Sequence, residues 1–222
     1  MNQMTRREMM LKKSLIYMIV FLCGWVLMAV EILGGRMLAP VFGSGIEVWG
    51  SIIGVFLLAL SCGYFLGGQL SRRIASHAVL LQIVGLAGLL IAALPFYHSE
   101  LTLKLWSFGP RLGPLSASIL LFLPPSVLLG LISPYAIHLN TKSIEAVGAS
   151  SGHLYAVSTI GSFLGCIVTA FYFITLMGVT RILLASGLLL LLLAAGGYLL
   201  LNLTATNEEK EATAYEKLNI PE

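Results

Sequence analysis

Residues Leu15–Ala39 read LIYMIVFLCGWVLMAVEILGGRMLA, an apolar run interrupted by two charges, Glu31 and Arg36. A helix of about 20 apolar residues crosses a bilayer core, so this stretch is long enough to span one. Working outward, five more such runs follow, at Val48–Leu70, Ala78–Tyr97, Leu115–His138, Leu154–Leu176 and Ile182–Leu203. The basic lead of Arg6, Arg7, Lys12 and Lys13 is of the kind that opens a signal peptide. The first run is too long for one, and no small-x-small cleavage site follows it, so it reads as a retained span.

Composition agrees with the runs. The 222 residues are 58% hydrophobic and 10% charged, and mean hydropathy is +0.93. A soluble domain carries about 25% charged residues; this chain has too little charge to cover a water-facing surface. An ordinary soluble enzyme and a disordered protein are both excluded. All ten acidic residues are Glu, so any activity that needs an aspartate must come from a partner. A net charge of +3 is too small to argue for nucleic acid. Cys23, Cys62 and Cys166 lie in apolar runs with no close pair, the pattern of small buried hydrophobes rather than of a disulfide or a metal site. No phosphate-binding glycine loop and no nucleophile triad is present, so neither a cofactor nor a catalytic residue is expected.

The expected fold is an all-α membrane protein of six transmembrane helices. A cytoplasmic basic N-terminus (1–13) precedes a six-helix domain (14–203), and a cytoplasmic polar tail (204–222) follows. Placing the N-terminus inside puts nine basic residues on inner segments, among them Arg72, Arg73 and Lys142, against three outside: Lys104, Arg111 and Arg181. That bias predicts both termini in the cytoplasm. The tail is either disordered or a short helix that forms on a partner.

The chain also matches itself. At an offset of 98 residues, Ile46–Gly68 and Ile144–Cys166 share eight identities in 23 positions, including Gly63 with Gly161 and Gly67 with Gly165. The match pairs the second span with the fifth, which makes the unit three spans. Three is odd, so the two units enter the membrane from opposite sides, as in many transporters. Leu129 stands at the position matching Glu31, so a site at Glu31 would be asymmetric. Ala59, Gly63 and Gly67 recur every four residues, as do Ser158, Ser162, Cys166 and Ala170, and Gly161 and Gly165 are further helix-packing candidates. Such small residues let helix backbones approach in lipid, inside the monomer or between copies.

Glu31 lies eight residues before Pro40, roughly 12 Å from the outer end of its helix. An unpaired charge there costs at least about 2.5 kcal/mol, so it is expected to face the bundle interior and to take a ligand, a cation or a proton. Arg36 is closer to the surface and can reach Glu47 as a structural ion pair. Trp49 and Tyr64 are candidate aromatic partners for a cation. Tyr155, Ser158, Thr159 and Ser162 form a polar stripe at helical spacing, suited to a ligand or to hydrogen bonds across helices. Pro124, Pro125 and Pro134 are expected to break the fourth span. Tyr135 and His138 read as interfacial residues at its inner end.

The run Glu31-I-L-G-G-Arg36-M-L-A-Pro40-V-F-Gly43, with Trp49 and Gly63-Y-F-L-Gly67-Gly68, resembles the membrane domain of prokaryotic transmembrane spermidine synthase-like proteins. Tyr155-A-V-S-T-I-Gly161-S-F-L-Gly165 resembles a later hallmark of that domain. The resemblance implies a fold similar to half of a major facilitator transporter. In the family a cytosolic aminopropyltransferase-like domain follows; its nucleotide-binding glycines and catalytic aspartate have no counterpart here, so the resemblance does not make this chain an enzyme by itself.

Two functions are carried forward. One is a transporter-like module for a small solute, a polyamine or related cation, with Glu31 as its carboxylate. The other is a non-transporting anchor or regulatory subunit for a separately encoded spermidine synthase-like enzyme in the cytosol. The expected partners are the lipid bilayer, a second copy in a homodimer through Ala59, Gly63 and Gly67, and that cytosolic subunit; nucleic acid is not among them.

Overall fold

The computed structural model describes the backbone of residues 3–141 and 147–218, and side chains within 9–141 and 147–204. Every regular element among the described residues is helical. They run α1 (Gln3–Phe42), α2 (Ile46–Arg73), α3 (His77–Leu105), a 3-10 turn (Trp106–Phe108), α4 (Gly109–Asn140) and α5 (Val147–Val168). A π turn (Thr169–Phe173) and the short α6 (Ile174–Leu176) extend α5, and α7 (Val179–Leu218) closes the chain. The part of the repeat at Ile144, Glu145 and Ala146 lies outside the described residues.

Five stretches are long and apolar enough to cross a membrane: Met9–Phe42, Ile46–Arg73, His77–Asn140, Val147–Leu176 and Val179–Thr204. Where six were expected, the third and fourth runs form one helical stretch of 64 residues. A straight helix of that length would reach about 96 Å, some three bilayer cores. The stretch instead turns back on itself, and α3 packs along α4. The reversal sits at Trp106–Phe108, followed by Gly109 at φ +79°, a conformation that suits glycine. Gly43, also at φ +79°, ends α1 by donating its N–H to the Ala39 carbonyl at 2.9 Å.

The prolines do not break α4. It stays helical through Pro124, Pro125 and Pro134, and Pro125 is buried. Neighbouring helices tolerate the lost donors; the Pro134 ring itself sits against Gly67 of α2.

Glycine decides which helices touch. A Cβ on Gly63 would lie 2.6 Å from the Val127 carbonyl oxygen, and one on Gly67 2.5 Å from that of Leu131. Helix α2 therefore lies backbone to backbone on α4, the two running in the same direction. On the other side Gly161 abuts the Phe21 carbonyl and Gly165 the Trp25 carbonyl, so α5 lies the same way on α1. Gly88 and Gly187 face each other where α3 crosses α7. Between these contacts a single apolar core holds Val26, Leu33, Ile52, Phe56, Phe122 and Ile91.

Tyr135, expected at an interface, is fully buried. Its hydroxyl donates to the Ile74 carbonyl and accepts from the Ser76 N–H at 3.1 Å, tying α4 to the turn between α2 and α3. Helix α7 continues past the apolar segment to Leu218.

Candidate functional site

A cavity of about 140 Å³ lies among α1, α2, α4 and α5. Helix α1 lines it with Val20, Cys23, Gly24, Leu27 and Met28, positions that share one face at helical spacing. Its polar wall is made of hydroxyls: Tyr64 from α2, Ser133 from α4, and Tyr155, Ser158, Thr159 and Ser162 from α5. Gly24 makes room for that wall, because any side chain there would meet the Ser158 carbonyl and the Ser162 hydroxyl.

Five of the residues singled out from the sequence thus share one cavity: Tyr64, Tyr155, Ser158, Thr159 and Ser162. Glu31 does not line it, yet it belongs to the same face of α1. It follows Leu27 by four residues and Met28 by three, which places it one turn further along the cavity stripe. It is half-buried and makes no hydrogen bond or ion pair among the described residues. Trp49 lies apart from the cavity. Its ring covers Gly35, with Cζ2 and Cη2 at 2.8 Å from where a Cβ would stand, one turn beyond Glu31.

The structure does not bring Arg36 and Glu47 together. Both are exposed, and no ion pair joins them among the described residues. Glu47 stands in the first turn of α2, where the helix dipole favours a carboxylate, and Arg36 reaches outward from α1. The stripe of Ala59, Gly63 and Gly67 is spent inside the monomer: all three are buried, and both glycines lie against α4.

Cys23 and Ser133 were missed as lining residues. Cys23 has only apolar neighbours at helical spacing, whereas Ser133 stands seven residues from both Ser126 and Asn140, a faint polar line in an otherwise apolar helix. Among the described residues no group of three or more His, Cys, Asp or Glu side chains is placed to hold a metal ion. A second, larger cleft of about 400 Å³ is lined by Gln69, Arg72 and Arg73 at the end of α2.

The hydroxyl wall can accept and donate hydrogen bonds but carries no charge. No family model, curated protein or solved structure matches this chain.

Proposed function

We propose that the chain is a six-span membrane module, with both termini in the cytoplasm, that binds a small cationic solute between two inverted three-helix units. The cavity carries this reading: it draws on four helices and presents hydroxyls where an ordinary packing interface would be apolar.

The packing supports the inverted repeat. Exchanging α1 with α4, α2 with α5 and α3 with α7 turns the contact of α2 on α4 into that of α5 on α1. Gly63 and Gly67 exchange with Gly161 and Gly165, Gly130 with Gly24, and Gly88 with Gly187, each pair in matching close contact. The correspondence of α1 with α4 runs at a larger offset than that of α2 with α5. It puts Ile137, not Leu129, opposite Glu31, and again no carboxylate.

Solute size follows from the cavity. Drug-sized ligands occupy pockets of about 300–1,000 Å³, so a cavity of about 140 Å³ fits a smaller molecule. A polyamine needs a carboxylate or an aromatic face for each nitrogen. Here one carboxylate and two tyrosines are available, which favours a monoamine or a short diamine over spermidine. The anchor reading draws on a different feature, the continuation of α7 to Leu218, a helical handle for a cytosolic partner such as a synthase-like subunit.

The test is binding by the purified chain in nanodiscs. Mono-, di- and triamines are titrated while the thermal midpoint is followed. The reading expects a rise with a small amine, lost in Ser162→Leu, which fills the cavity. No shift with any of them, together with no amine uptake into proteoliposomes, would refute it.

A further inference from the structure

Two buried hydroxyls have no hydrogen-bond partner among the described residues, Ser118 Oγ and Thr169 Oγ1. Thr169 is fully buried and opens the π turn that interrupts α5, where the Ile174 N–H reaches back to the Thr169 carbonyl. Single π turns inside α-helices are frequent at functional sites, because the wider turn re-aims the groups it contains.

The register of α1 on α5 says what Thr169 faces. Gly161 meets the Phe21 carbonyl and Gly165, one turn on, meets the Trp25 carbonyl. Gly24 lies against the Ser162 hydroxyl, and seven residues further along both helices the same register sets Glu31 opposite Thr169. The π turn touches α1 directly, and the Phe173 ring lies 6.3 Å from that of Trp25. A carboxylate without a partner and a buried hydroxyl without a partner therefore stand at one level, just beyond the hydroxyl-lined cavity. Ser118, on α4, is not part of this arrangement.

We propose that Glu31 and Thr169 form a binding site for a monovalent alkali cation, with sodium as the test ion. Oxygen donors of this kind take hard cations. A single carboxylate balances one positive charge, whereas a divalent ion would leave a net charge within an apolar bundle. The cation would lie between the outer end of the first span and the solute cavity, and because a single carboxylate balances one charge, the ion and a cationic solute would compete for Glu31. The site stands or falls without the solute, since it is tested with the ion alone.

The experiment uses the full chain in nanodiscs and follows labelling of Glu31 by dicyclohexylcarbodiimide, read by peptide mass spectrometry at fixed pH and ionic strength. Sodium chloride should slow labelling relative to choline chloride. Glu31→Gln should abolish it. Thr169→Val should raise the half-protective sodium concentration by about tenfold or more, the scale of a lost metal-site partner, while Thr169→Ser should keep it near the original value. Equal labelling in sodium and choline, or protection that follows pH alone, would overturn the proposal, the latter in favour of a proton carrier. Wild-type protection by Thr169→Val at unchanged sodium concentrations would overturn it as well. If Thr169→Val does not fold, Thr169→Ala takes its place in the same comparison.

Discussion

Gly161 of α5 lies directly on the Phe21 carbonyl of α1, with no space between them for a side chain. The same holds for Gly165 and Trp25 one turn later, so two backbones are held in contact over successive turns. In lipid such contacts supply dispersion and weak polar attraction where no hydrophobic effect operates between helices.

Substitution at these glycines should separate the helices. Gly161→Ala is expected to cost about 1–3 kcal/mol, the scale of overpacking, and Gly161→Leu to prevent stable folding. Gly152, on the same helix, has nothing within 4 Å of a would-be Cβ. Gly152→Ala should be neutral or stabilise by about 0.5–1 kcal/mol through helix propensity. Thermal unfolding of the three variants in one detergent checks the contrast, and an equal loss for Gly152→Ala would contradict the packing described.

Arg36 and Glu31 should respond differently from each other. Arg36 is exposed and unpaired among the described residues, so Arg36→Gln is expected to leave abundance in the membrane close to normal. Glu31→Gln should also fold, because it removes a charge that has no partner, yet it should abolish amine binding. Quantitative immunoblots and the binding assay together decide this. Loss of the protein in Glu31→Gln with binding intact in the surviving fraction would make Glu31 an assembly residue.

Tyr135→Phe removes one hydroxyl and leaves the Ser76 N–H and the Ile74 carbonyl without their partner. The expected cost is about 1–3 kcal/mol, the penalty for unsatisfied buried polar groups. Hydrogen exchange at the Ser76 N–H should quicken with it, while that at the Ile74 N–H, which bonds to the Leu70 carbonyl, should change less. Unchanged exchange at Ser76 would contradict the bond.

Orientation is testable with single cysteines in a background lacking Cys23, Cys62 and Cys166. A cysteine at Arg73 should react only from the cytoplasmic side, and one at Ser107 only from the outside. The reverse labelling would invert the whole arrangement, including the side from which a solute enters.

The helical, membrane-compatible fold was legible in the sequence because lipid imposes a length rule on helices, and the glycine spacing marked places where they touch. Gly63 with Gly161 and Gly67 with Gly165 could be paired by eye, and they are the residues at which the helices meet. The reversal at Trp106–Gly109 was legible too, because the polar stretch from His98 to Arg111 separates the third apolar run from the fourth. Prolines misled: Pro124 and Pro125 lack donors, but a helix enclosed by its neighbours does not need every bond. The cavity was half-readable. Its hydroxyl stripe on α5 has helical spacing, whereas Cys23 and Ser133 enter it only because α1 and α4 happen to converge there. Arg36 and Glu47 looked complementary in sequence, and chain geometry turns both toward the surface instead.

The Tyr135 hydroxyl has a consequence for biosynthesis. Its partners at Ile74 and Ser76 are made roughly sixty residues before it, so the turn joining α2 to α3 leaves the ribosome long before the group that satisfies it. During that interval the turn holds open hydrogen-bonding groups that water can cover. A chain stopped after α3 lacks the phenol that satisfies them, so this part of the early half is completed only when the fourth helix arrives.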